Sequence, residues 1–79
     1  MDIERLVTMA NQIGEFFLTE AGEDGAPQEI ASHITRFWDP RMRAQIIEHA
    51  RAGGQGLSDA ARRAALLLKP VVAAGSGGG

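Results

Sequence analysis

His33-Ile34-Thr35-Arg36-Phe37-Trp38-Asp39-Pro40-Arg41-Met42-Arg43 holds the only tryptophan of the 79-residue chain and a dense set of helix-boundary signals. Asp39 is a good N-cap. Pro40 is a good first helical residue, because its missing N–H costs nothing in a turn whose amides have no partner anyway. One helix is therefore expected to end near Trp38 and another to begin at once, so the stretch reads as the corner of a helical hairpin. Arg41 and Arg43 then fall in the first turn of the new helix, where unpaired amides already make the electrostatics positive and a cation is mildly unfavourable. That local inconsistency marks Arg41, with Arg36 nearby, as a candidate partner contact, although a first-turn arginine can also simply reach solvent or a neighbouring carboxylate.

On the N-terminal side of the corner, Ile30, Ala31, Ile34, Phe37 and Trp38 make an apolar stripe on a helix expected over residues 27 to 38, with Pro27 starting it. On the C-terminal side, Met42, Ile46, Ile47 and Ala50 define the buried face of a helix expected over residues 40 to 52. The same wheel places Arg43 inside that face, half buried. Arg43 occupies the position where a hydrophobic staple would meet Trp38, so its stem can lie along the indole with a cation–π gain of about 0.5 to 1 kcal/mol, or it can reach a partner. Trp38, Asp39, Pro40 and Arg43 are together expected to hold the shape of the corner.

Further out, Ile3, Leu6, Val7, Ala10, Ile13 and Phe17 share one face of a helix over residues 2 to 18 when turned at about 100° per residue. Gly14 lies on that face, where a glycine costs about 1 kcal/mol against alanine unless another helix exploits the missing side chain. Met9 and Phe16 sit at the edge of the face and widen it beyond what a small bundle needs, so they either meet a partner or cover the core. Gln12 and Asn11 read as hydrogen-bonding contacts or as solvated positions, with Gln12 taken as a partner-contact candidate. Thr19 to Ala26 carries acidic residues and glycines without periodicity and is expected to be a loop.

Gly53-Gly54-Gln55-Gly56 stops the third helix, and Ser58 caps a fourth over residues 58 to 69, on which Leu57, Ala61, Ala64, Ala65 and Leu68 share a face. The expected architecture is an all-α, four-helix domain over residues 1 to 70, with Ile13, Phe17, Ile34, Phe37, Ile46 and Leu68 in one core. Residues 71 to 79 end in Gly75-Ser76-Gly77-Gly78-Gly79 and are expected to form a flexible tail.

Composition narrows the function. A chain of this length buries only roughly 60 to 65% of its unfolded surface and leaves little room for a ligand cavity, which disfavours an autonomous enzyme. The absence of cysteine excludes disulfides, thiolate metal sites and a cysteine nucleophile, and fits a cytoplasmic setting. A net charge of −2 and a pI near 5.5 lack the electrostatic footprint of a nucleic-acid binder. The longest apolar stretch is interrupted by Lys69 and Pro70, so no membrane span is expected. His33 and His49 show no ligand spacing, and no serine lies in a nucleophile elbow, so no catalytic, cofactor-binding or metal residue is assigned.

Two blocks carry a resemblance: Leu6-Val7-Thr8-Met9-Ala10-Asn11-Gln12-Ile13-Gly14 with Phe16-Phe17, and Ile30-Ala31-Ser32-His33-Ile34 through Phe37-Trp38-Asp39-Pro40-Arg41-Met42-Arg43. On these the chain resembles the delta subunit of NAD-dependent, molybdenum-containing formate dehydrogenases. The resemblance implies a small, non-catalytic subunit working with a cytoplasmic complex. There the large alpha subunit carries molybdopterin guanine dinucleotide and iron–sulfur clusters, and other subunits carry FMN and deliver electrons to NAD. It implies work in assembly, stability or cofactor insertion.

A second reading stays open beside it: an independent small helical adaptor or regulator that uses the same apolar edge, with self-association of the isolated chain allowed.

Overall fold

The computed structural model describes residues 2–70, and every regular element among them is helical. The elements are α1 (Ile3–Phe37), α2 (Pro40–Arg51) and α3 (Asp59–Leu67). Residues 71 to 79, expected to form a flexible tail, lie outside the described residues.

α1 is not one rod. Gly22 takes φ 74° and ψ 174°, which no helix contains, and the chain reverses there. The reversal is visible in what meets what. The rings of Phe17 and His33 stand 6.0 Å apart, whereas 16 residues of straight helix would separate them by about 24 Å. A Cβ on Gly14 would likewise lie 3.7 Å from Ile30 Cδ1. The antiparallel hairpin thus turns at Gly22, between two arms of α1, and the corner at Asp39-Pro40 joins the second arm to α2.

This corrects the loop expected over Thr19 to Ala26. Both arms run helically up to Gly22, because Glu20, Ala21, Glu23 and Ala26 are adequate helix formers and a solvent-exposed tip needs no apolar face to stay helical. Pro27, expected to open the second helix, instead lies buried inside it. It follows Gly22 by five residues, so the backbone bond it forfeits lies at the very start of that arm.

One core joins all the elements: Leu6 and Ala10 from the first arm, Ala26, Ile30, Ile34 and Trp38 from the second arm and its end, Ile46, Ile47 and Ala50 from α2, and Ala60, Ala61, Ala64, Ala65 and Leu68 from α3. Ile13 and Phe17 are half buried against it. Phe37 is the exception, with 68% of its surface exposed. The buried row on the second arm is Ala26, Ile30, Ile34 and Trp38, spaced four residues apart, and such a row slants across the helix axis. By the end of the arm the inward direction has drifted to Trp38, and Phe37 falls on the neighbouring row with His33.

α3 packs chiefly on α1, and it does so through small side chains. Ser58 Oγ and Ala61 Cβ would lie 3.5 and 3.9 Å from a Cβ on Gly14, so α3 does lie against this glycine, but at ordinary contact distances that do not need the side chain to be missing. Ser58 caps α3 by accepting from Ala61 N at 3.2 Å. The connection from α2 is tied to the first arm by one side chain. Asn11 Nδ2 donates to Gly56 O at 2.9 Å and its Oδ1 accepts from Ser58 N at 2.8 Å. Nε2 of His49 lies 2.7 Å from Gln55 O and must donate to that carbonyl, which ties the same connection back to α2.

Candidate docking surface

The corner resolves the electrostatic inconsistency that singled it out. Asp39 caps α2 as expected, its Oδ1 accepting from Met42 N at 3.0 Å, with Pro40 following in the first helical position. Arg43, half buried, does not lie on the indole as a cation–π partner. Its Nη1 donates to Trp38 O at 2.7 Å and to Thr35 O at 3.4 Å. A cation that is unfavourable at the start of α2 is favourable at the end of α1, where unpaired carbonyls concentrate negative charge. Arg43 therefore belongs electrostatically to the helix before it. Trp38, 5% exposed, fills the core beneath.

The side chains left facing outward form a strip along one flank of the α1 hairpin. Phe16, 59% exposed, meets Phe17 edge to face at a ring spacing of 5.0 Å. Phe17 stands 6.0 Å from His33, and His33 stands 4.7 Å from Phe37. Arg36 ends the strip with its Cζ 5.7 Å from the centre of the Phe37 ring. Gln12 and Ile13 complete a shallow groove with Phe16, Phe17 and His33.

Three of the residues singled out in the sequence thus come together: Gln12, Phe16 and Arg36. Met9 is half buried against the core and does not line the groove. Arg41 is exposed on the far side of the Asp39-Pro40 corner. Phe37 and His33, which join the two ends of the strip, were not singled out as contacts. Their signal was their spacing of four residues, which stacks them on one helix face.

Other chemistry is sparse. The one ion pair among the described residues is Arg63 with Asp59, one turn apart on α3 at 3.2 Å and largely exposed, so neither Arg36 nor Arg41 has a carboxylate partner there. Among the described residues no group of His, Cys, Asp and Glu is placed to hold a metal ion, and no buried side-chain polar atom lacks a partner. None of the described helices is long and apolar enough to cross a membrane.

No curated protein and no solved structure matches the chain. A family model does, over residues 5–65, described as the NADH-dependent formate dehydrogenase delta subunit FdsD. The match takes in both arms of α1, the Asp39-Pro40 corner, α2 and most of α3, so every residue of the strip falls within it. The chain belongs to the family of NADH-dependent formate dehydrogenase delta subunits.

Proposed function

We propose that this delta subunit is non-catalytic and works in a cytoplasmic molybdenum formate dehydrogenase complex, where it docks on the large alpha subunit and supports assembly, stability or cofactor insertion. On this reading molybdopterin guanine dinucleotide, iron–sulfur clusters, FMN and NAD all reside in the partner subunits. The observation that carries it is an exposed aromatic strip ending in an arginine with no carboxylate partner among the described residues, on a chain whose family is named as a subunit. Large exposed aromatic side chains beside a cation are the composition typical of interface centres. Arg41 suits a second contact, since a guanidinium on a capped helix start can pair bidentately with a carboxylate or phosphate.

Co-expression with a tagged large subunit tests the docking: the chain is expected to co-purify with it in fixed ratio, and its omission is expected to lower the molybdenum content or the stability of that subunit. The isolated chain is expected to bind neither molybdenum nor iron stoichiometrically and to reduce no dye with formate. Turnover by the chain alone, or independent purification with no effect of its omission, would favour the free-standing adaptor instead.

A further inference from the structure

Only one residue parts the two arms of α1. Residues 3 to 21 and 23 to 37 are helical, and between them Gly22 alone leaves helical geometry. Residues 23 to 27 are thus already helical in the hairpin, so the bond that Pro27 forfeits to Glu23 is lost there too and adds no cost when the helix is extended through residue 22. A return of Gly22 to helical angles would make α1 one rod of about 50 Å, bent at Pro27. A second glycine serves the reversal. A Cβ on Gly25 would stand 3.2 Å from Ala21 Cβ, closer than carbon atoms ordinarily pack. In a continuous helix these two positions are one turn apart, with Cβ atoms about 5 to 6 Å from each other. Gly22 and Gly25 therefore each remove an obstacle that exists only in the hairpin, one of backbone angle and one of contact. Each also weakens a continuous helix relative to alanine.

The first arm packs on groups that lie beyond Gly22 in the chain: Ile30 beside Gly14, Gly56 and Ser58 bound by Asn11, and the core side chains of α2 and α3. With α1 straight, the first arm is carried away from these groups in its own chain, and a second copy offers the same groups in the same arrangement. We infer that this chain has a second folded form, a dimer in which α1 runs through Gly22 as one helix and two copies exchange their first arms. The surface that receives each arm is the interface already present inside the monomer, so its occupant is known. Phe16 and Phe17 belong to the first arm and His33 and Phe37 to the second. Each aromatic strip of the dimer accordingly takes rings from both chains, and the dimer carries two strips.

Sedimentation of the full chain over a range of concentrations reads the equilibrium. The parent is expected to be monomeric when dilute and to dimerise as its concentration rises. Gly22→Ala strains the hairpin and suits the straight helix, where alanine outranks glycine by about 5-fold in each of two chains, so the dissociation constant of the dimer is expected to fall about 25-fold or more. Gly25→Ala is expected to act in the same direction through its contact with Ala21. Inserting Gly-Ser-Gly after Gly22 relaxes the reversal and is expected to leave monomer only. Distances within a chain identify the exchange. The chain has no cysteine, and exposed Thr8 and Thr35 lie six and five residues beyond the facing pair Gly14 and Ile30. Spin labels on Thr8→Cys and Thr35→Cys should stand about 20 Å apart or less on adjacent packed arms, and about 40 Å apart along one helix. Doubly labelled chain refolded with an excess of unlabelled chain is expected to show the long distance in the dimer and the short one in the monomer. A dimer that keeps the short distance associates without exchange and overturns the inference. A parent that is monomeric at every concentration, with each alanine variant either monomeric or unfolded, overturns it as well.

Discussion

Asn11 shows how much one polar side chain can do in a domain with few internal hydrogen bonds between distant residues. Its amide spans 45 and 47 residues of sequence, joining the first arm of α1 to the loop that feeds α3. Nothing in the pattern of the first helix distinguishes Asn11 from the solvated Gln12 beside it, because the partners are backbone groups of a remote loop. Asn11→Ala should leave Gly56 O and the half-buried Ser58 N–H without their partner and cost about 1 to 2 kcal/mol. For a domain of this size that corresponds to a fall in melting temperature of roughly 4 to 16 °C. Asn11→Asp keeps the acceptor for Ser58 N and loses the donor to Gly56 O, so its loss should be intermediate. Equal melting temperatures for parent and Asn11→Ala would show that water replaces both bonds at no cost.

At the scale of an element, the two glycines Gly22 and Gly14 of the α1 hairpin make opposite demands. Gly22 needs its backbone freedom: φ 74° with ψ 174° is a region essentially closed to other L-residues, although nothing lies within 4 Å of where a Cβ would stand. Gly22→Ala should therefore cost about 1 to 3 kcal/mol through backbone strain alone. D-alanine at the same position, introduced by chemical synthesis, should restore stability, since the mirror of that conformation is ordinary extended backbone. Gly14 is helical and sits against α3, where an added Cβ would make only ordinary contacts at 3.5 Å or more. Gly14→Ala should then be neutral or stabilising by up to about 1 kcal/mol, while Gly14→Leu should overpack the contact with Ser58 and Ala61 and cost about 1 to 3 kcal/mol. Thermal and denaturant unfolding of the set would separate backbone strain from steric fit.

For the whole molecule the Asp39-Pro40 corner separates stability from association. Trp38 is the largest side chain of the core and buries the end of α1 in it, so Trp38→Ala should destabilise the fold by about 3 to 5 kcal/mol. That is a large share of the 5 to 15 kcal/mol typical of a whole domain. Arg41 is exposed and makes no ion pair among the described residues, so Arg41→Ala should leave the melting temperature nearly unchanged. If it meets a charged group of the large subunit at a desolvated contact, the same change should weaken complex formation by about 1 to 3 kcal/mol. Unfolding of the isolated chain by Arg41→Ala, or unaltered assembly, would make the arginine a bystander.

The all-helical class, the cap at Asp39, the positions of Pro40 and Ser58, the stops at the glycine run and most of the core were legible in sequence, because each depends on residues within one or two turns of one another. Periodicity and capping are local, and they survive whatever the rest of the chain does. The family was legible for a related reason, since the residues around Phe37-Trp38-Asp39-Pro40-Arg41-Met42-Arg43 form an unusual run that lies inside the matched span. What tertiary structure alone decided is how neighbours are apportioned. The helical tip around Gly22 has no apolar signal because it touches only water. Phe37 shares the apolar stripe of Ile30 and Ile34, but the slant of the packed row carries the inward direction past it to Trp38. Arg43 and Asn11 find their partners in backbone carbonyls and amides, which every residue carries and no sequence pattern marks. The strip of Phe16, Phe17, His33 and Phe37 exists only because the chain reverses at Gly22 and lays one arm beside the other.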